Sequence, residues 1–418
     1  MLLLFYNITW IFLLPVMVML LVIRIILGKE DIMRIKERFG IASAVRSTKG
    51  IIWIHAASVG ESRIALTLTK NLHKIYPKHR VLITTGTVTS AGIIRTFASA
   101  RIVHQFLPMD NPISIWLFFR YWKPDMGIFI ESELWPNLIN IGSRFCPLLL
   151  VNARMSDRSF AKWSKYKFIA RMMLNKFKYV LCQSAIDAKK YKTLGADAVF
   201  VGNLKYSGTQ LEVNQAHLKA LETMIGKRPI FLAASTHPGD DEIIAEAHAE
   251  CKKKHPDILT IIAPRHVVRT PEIKDMLLNR GLKCSLRSKK EEITRDTEIY
   301  IADTMGELGM LFSIANASCI CGSFKNGGHN PIEAAYFDTH IIFGPDMSNF
   351  TEIADEFLKY KAATQIQDVK GLVKVVGKVF DGKVASTHEE AAAILRNHAN
   401  VMVKYMDYLQ RGLTPDGK

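Results

Sequence analysis

The 418-residue chain has no Cys-x-x-Cys pair, no Asp-x-Asp, no G-x-x-x-x-G-K-[ST] run, no internal repeat and no low-complexity tract. Each absence removes a class of protein. Six scattered cysteines (Cys146, Cys182, Cys251, Cys284, Cys319 and Cys321), with no histidine cluster at ligand spacing, argue against a zinc site or a disulfide framework. Cys319 and Cys321, two apart in an apolar run, read as one buried strand instead. The missing P-loop removes the Walker type of phosphate cradle. Without Asp-x-Asp there is no ready carboxylate pair to hold a divalent ion against a diphosphate leaving group, so the expectation is no metal, no cofactor and any sugar donor carrying a single phosphate. Hydrophobic residues make up 49% and charged residues 22%, which excludes disorder, and the length asks for two domains rather than one.

Charge of either sign is also missing from residues 2–23. About 20 apolar residues suffice to span a bilayer, and a signal peptide would need a basic start and a small-residue cleavage site, both lacking here. Arg24, Lys29, Arg34, Lys36 and Arg38 all follow the apolar run. The expectation is a single membrane-anchor helix over 1–28, spanning or dipping, with the bulk of the chain on the cytoplasmic side. The net charge of +16 is unevenly placed. Residues 1–205 hold 29 Lys/Arg against 11 Asp/Glu, and the remainder 26 against 28, so the front half is basic and the back half near neutral. One surface facing an anionic partner, such as an anionic membrane, explains that split better than a nucleic-acid habit, for which no module is present. Within the basic half, ISIWLFFRYW (113–122) and AKWSKYKFIARMMLNKFK (161–178) mix aromatics with cations and are candidates for interfacial contact.

Behind the anchor, short β-rich runs alternate with helix-like stretches. Seven runs, IIWIHA (51–56), VLITT (81–85), IVHQF (102–106), MGIFIE (126–131), PLLLVN (147–152), YVLCQS (179–184) and AVFVG (198–202), read as buried parallel strands. A second series runs PIFLAAS (229–235), ILTIIAP (258–264), EIYIAD (298–303), ASCICGS (317–323) and THIIFGP (339–345). The pattern predicts two Rossmann-like α/β domains, 29–205 and 228–385, joined by a polar linker over 206–227. Residues 386–418 are expected to form a C-terminal helix packing back on the first domain. Ligands in open parallel sheets bind beyond strand C-termini, so an interdomain cleft is the expected active site.

Polar clusters stand at those strand ends. Ser58, Gly60 and Glu61 follow the first strand; Gly60 permits a tight turn, and Glu61 is placed either to take a proton from a hydroxyl or simply to favour the helix dipole. Thr85 and Gly86 open the next helix, Glu131 closes a later strand, and Arg154 and Ser156 follow another, Arg154 being suited to a carboxylate. Lys205 ends the domain. In the second domain Ser235 and Thr236 follow the first strand and Arg265 and His266 the second, with Met305, Gly306 and Glu307 at a helix start. The richest loop carries Gly327, Gly328, His329, Asn330, Pro331, Ile332 and Glu333, where adjacent glycines would let the backbone approach a phosphate.

Taken together, HAASVGE, TTGTVTSAG, ESELWPN, VNARMSDRS, GNLK, ASTHPGDDE, PRH and GSFKNGGHNPIEAA resemble the Kdo (3-deoxy-D-manno-octulosonic acid) transferases, in order from about 52 to 335. The resemblance implies the GT-B fold and transfer of Kdo from a CMP-Kdo donor to a lipid A precursor acceptor at the inner membrane, with inversion. It implies Glu61 as general base and Glu131 and Lys205 as stabilisers of transition-state charge. It further implies that Arg265, His266, Met305, Gly306, Glu307 and the 330–333 segment hold CMP. Ser132 and Ala234 depart from the family pattern without removing a charged group. Rival readings are another GT-B-type enzyme with a different nucleotide-sugar, or a non-enzymatic membrane-tethered binding protein.

Overall fold

The computed structural model describes residues 2–47, 49–207 and 211–413. Parts of the expected linker (208–210) and of the C-terminal segment (414–418) lie outside the described residues. Two compact units divide at Ser207/Gly208 and at Asn397/His398, the chain returning to the first unit for its last helix.

In the first unit, β1 (Ile51–His55), β2 (Arg80–Thr85), β3 (Ile102–Phe106), β4 (Met126–Ile130), β5 (Leu148–Ala153), β6 (Phe177–Cys182) and β7 (Ala198–Phe200) form a parallel sheet in the order β3-β2-β1-β4-β5-β6-β7. Every residue of β1, β4 and β5 is buried, as a sheet covered on both faces requires. Alternation divides the core in two. Trp53 and Phe129 face one side, where Trp53 meets Phe118, Phe119 and Phe129 edge to face at 5.5, 5.3 and 5.1 Å. Ile52 and Ile54 face the other, packed by Leu68 and Leu72 of the helix Val59–Ile75 and by Tyr405 and Leu409 of the helix Val401–Leu413. The single helix expected after 386 is therefore two, His388–His398 and Val401–Leu413, and the second covers the first unit's sheet.

The second unit holds β8 (Ile230–Thr236), β9 (Leu259–Pro264), β10 (Cys284–Leu286), β11 (Ile299–Ile301), β12 (Ala317–Ile320), β13 (His340–Phe343) and β14 (Thr364–Gln365), ordered β10-β11-β9-β8-β12-β13-β14 and parallel throughout. Cys319 and Cys321 are buried there. The expected linker is partly a helix, Gln215–Ile225, N-capped by Asn214.

The N-terminal anchor needs correction. Leu2–Ile26 is a 25-residue helix that contains Pro15, but among the described residues no helix is long and apolar enough to cross a membrane. Its side chains are tied to the folded domain. Tyr6 donates to Asp110 at 3.0 Å, and Arg24 and Arg38 both pair with Glu30 at 2.8 and 2.9 Å. A helix fastened at both ends to a globular body is not free to be surrounded by lipid. Its outer side is nonetheless apolar and exposed at Phe12, Met19 and Ile26.

Candidate active site

In each sheet the strand order reverses between two neighbours, β1 and β4 in the first unit and β8 and β12 in the second. Loops diverge to opposite faces there and leave a crevice at the strand C-termini.

Glu61 follows β1, one side of the first switch point. The segment Ser58–Glu61 is a capping box: Ser58 Oγ accepts from the Glu61 N–H at 3.3 Å and donates to Glu61 Oε1 at 2.8 Å, and Ala57 N–H donates to Oε2 at 2.8 Å. The carboxyl thus caps the helix, yet two donors leave lone pairs open. Burial pushes its pKa up to about 7, the Ala57 and Ser58 bonds hold it back, and the carboxylates of Glu131 and Glu133 raise it further. Gly60 is not where the turn needs a glycine. It has no positive φ, and a Cβ there would meet nothing closer than Ser58 Oγ at 4.0 Å.

Glu131 follows β4, across the switch point, with φ 63°, and Asn152 at the end of β5 has φ 55°. Two non-glycine residues in the left-handed region at adjacent strand ends mark stored backbone strain. The Asn152 amide accepts from Leu204 N–H at 2.9 Å and donates to Gln183 at 3.1 Å, while Tyr405 donates to the Gly202 carbonyl at 2.9 Å. These bonds set the Gly202–Lys205 turn, so that Lys205 Nζ stands 3.7 Å from Glu131 Oε1, both half-buried. The carboxylates of Glu131 and Glu133 both act on Glu61, and Lys205 pairs with Glu131. Neighbouring Thr85 bonds His104 at 2.9 Å, the Gly86 carbonyl accepts from Arg38, and Arg154 and Ser156 lie exposed beyond β5, Ser156 capping the next helix.

In the second unit Ser235 sits at φ 63° in a β8/β9 register shift, and the Thr236 carbonyl accepts from Arg265 N–H at 3.0 Å. Asp240, which the motif reading did not single out, spans this switch point. Its Oδ2 accepts from His237 N–H at 2.9 Å and from Gly322 N–H at 2.8 Å, fastening the loop after β8 to the loop after β12. Across the same gap His237 Nε2 and His329 Nε2 are 2.9 Å apart, so one ring donates and the other accepts, and His266 packs edge-on to His237. Burial holds His237 below the usual histidine range, with His266, Arg265 and Arg269 adding to that effect.

Gly327 and Gly328 are buried, at φ 77° and 72°, and their N–H groups donate to Asp346 at 2.8 Å and to the Gly322 carbonyl at 2.9 Å. Their freedom is used within the loop, where a Cβ would lie 2.3 Å from Asn349 or 2.4 Å from Met347. The helix after Asn330 is one short 3₁₀ segment, Pro331–Tyr336, capped by Asn330 on Ile332 N–H at 3.2 Å and carrying Glu333. Glu307 is held by Arg287 through bonds of 3.1 and 2.8 Å, which keeps its carboxyl below the usual range, while Met305 is exposed beside Gly306. Arg287 is not legible in the sequence pattern, because β10, which carries the chain to it, is three residues long.

Comparison with known proteins completes the assignment. A family profile described as 3-deoxy-D-manno-octulosonic-acid transferase (kdotransferase) matches residues 33–207. The chain is 41% identical to the 3-deoxy-D-manno-octulosonic acid transferase of Rickettsia bellii (strain RML369-C), covering 96% of this chain and 97% of that one. To the protein of that name in Haemophilus influenzae it is 35% identical over 77% of each chain. Among solved structures MurG of Acinetobacter baumannii shares the fold at a TM-score of 0.54, with 13% identity over 87% of this chain and 99% of that chain. Identity at that level over nearly the whole length, with two parallel-sheet α/β units built as these are, places the chain in the 3-deoxy-D-manno-octulosonic acid transferase family, a family of glycosyltransferases.

Proposed function

We propose that this Kdo transferase is an inverting enzyme of the GT-B type, taking Kdo from CMP-Kdo and placing it on a glucosamine hydroxyl of a lipid A precursor, with Glu61 as general base. One observation carries the reading: a buried carboxyl poised near 7 at the first switch point, beside the Glu131–Lys205 pair. The acceptor hydroxyl gives its proton to the Glu61 carboxylate while its oxygen attacks the anomeric carbon of Kdo. The bond from that carbon to the CMP phosphate oxygen breaks, and CMP leaves from the opposite face. Lys205 and Glu131 offset charge that develops at the reacting centre. Arg154 is suited to the Kdo carboxylate. Ser235, Thr236, Arg265, His266 and the Glu307–Arg287 pair are assigned to CMP. The basic first unit and the exposed apolar side of the N-terminal helix suit an anionic membrane surface without a span.

The test is purified protein with CMP-Kdo and a tetraacylated lipid A precursor, with and without chelator. Release of CMP together with a Kdo-bearing lipid in both arms is expected. No lipid product with a competent donor would overturn the acceptor assignment, and loss with chelator would overturn metal-free transfer.

A base with pKa about 7 must be ionised to work, so kcat/KM should rise with pH through about 7 and then level. Glu133→Gln removes a like charge that raises Glu61, and should move that limb to lower pH. A limb unmoved in the variant would detach it from Glu61.

Asp240→Ala should lower CMP affinity at least ~10-fold by isothermal titration, because the buried Gly322 N–H and the part-buried His237 N–H lose their shared acceptor and the two loops separate. Undiminished affinity would place CMP elsewhere.

A further inference from the structure

We infer that the pocket under the N-terminal helix receives a fatty acyl chain of the acceptor, which rests on the lipid-acceptor reading above. The pocket has a volume of about 430 Å³, within the ordinary range for ligand sites. Trp10, Met17 and Leu21 form its helix wall, and Leu107, Met109 and Leu138 its domain wall. Along these apolar walls a sugar or nucleotide would leave hydroxyls unpaired, whereas a hydrocarbon chain loses nothing; the charged lining residues are already engaged, Glu30 with Arg24 and Arg38, and Asp110 with Tyr6.

Two features choose an acyl chain of the acceptor over other apolar occupants. Gly86 also lines the pocket, and a Cβ built on it would stand 3.5 Å from the Ala57 carbonyl. Ala57 is the residue whose N–H holds the Glu61 carboxyl, so the pocket wall touches the loop that carries the base. The opposite side of the same helix is the exposed apolar surface of Phe12, Met19 and Ile26, so a chain leaving a lipid phase meets apolar groups along its way in. The helix is thereby part of the acceptor site.

Leu21→Trp fills the pocket from the helix wall and Met109→Trp from the domain wall; neither side chain belongs to the catalytic cluster. KM for the tetraacylated acceptor should rise at least tenfold in both variants, and the Kd of that lipid, measured without donor, should rise in parallel. With the same acceptor stripped of its acyl chains, kcat and KM should change less than twofold, which also reports that the variants are folded. Equal effects on the two acceptors, or no effect on either, would overturn the pocket assignment while leaving transfer intact. If the wild type moved no Kdo to any lipid, the acceptor reading would fail by itself, and the donor-free Kd would still decide the pocket.

Discussion

Glu61→Gln should lower transfer by about 10²–10⁴-fold, the range expected for loss of a general base, while the protein stays at least as stable as the wild type at pH 8. The two halves of this expectation have separate origins. Glutamine keeps an oxygen that can accept from Ala57 N–H or Ser58 Oγ, so the helix cap survives in part. It cannot take a proton from a hydroxyl. The stability half follows from the sign of the pKa shift. The folded protein holds the Glu61 proton up to about 7 against an ordinary 4.5, so stability falls as pH rises between those values and the cost is complete above 7. That cost is of order 3 kcal/mol before solvent penetration reduces it. The uncharged amide avoids it, so the Tm of Glu61→Gln should equal or exceed that of the wild type at pH 8, the gap closing towards pH 5. Activity within threefold of the wild type would remove Glu61 as base. A Tm lowered by 10 °C at pH 8 would mean that the carboxylate is there mainly as a cap.

Much of this site is written locally. Parallel strands buried on both faces leave apolar runs too regular to miss, and the polar residues that end them, Glu61, Glu131, Lys205 and Arg265, fall at the strand C-termini whatever the details of packing. What local pattern could not supply is of three kinds. Edge strands of three and two residues, Cys284–Leu286 and Thr364–Gln365, are too short for any periodicity, and Arg287 was lost with the first. Partners far apart in the chain, Tyr6 with Asp110, His237 with His329 and Asp240 with Gly322, exist only once the loops are assembled. A Gly-Gly pair such as Gly327 and Gly328 announces backbone freedom without saying what uses it, and the bond to Asp346 and the close approach of Asn349 and Met347 exist only in the folded loop. The apolar N-terminus belongs with the second kind. Its composition reads as a free-standing span, and only the ties through Tyr6, Arg24 and Arg38 reveal a helix bound to a domain.

Asn152→Ala should be the most damaging single change outside the catalytic group, costing about 2–5 kcal/mol of stability. Two terms add. The buried Leu204 N–H and the Gln183 amide lose their partner, at about 1–3 kcal/mol. Alanine must also hold φ 55°, a region it enters at about 1–2 kcal/mol. For a unit of this size each kcal/mol moves Tm by roughly 2–4 °C, so a fall of about 4–20 °C is expected. Asn152→Gly separates the terms: it relieves the backbone strain but not the lost bonds, and should recover about a third of the loss. Function should follow a different course. The Asn152–Leu204 bond sets the turn that carries Lys205 to 3.7 Å from Glu131, so both variants should lose kcat to a similar extent although their stabilities differ. If kcat instead tracked Tm across wild type, Gly and Ala, Asn152 would be a support for the fold alone, and the placement of Lys205 would depend chiefly on Tyr405 and its bond to the Gly202 carbonyl.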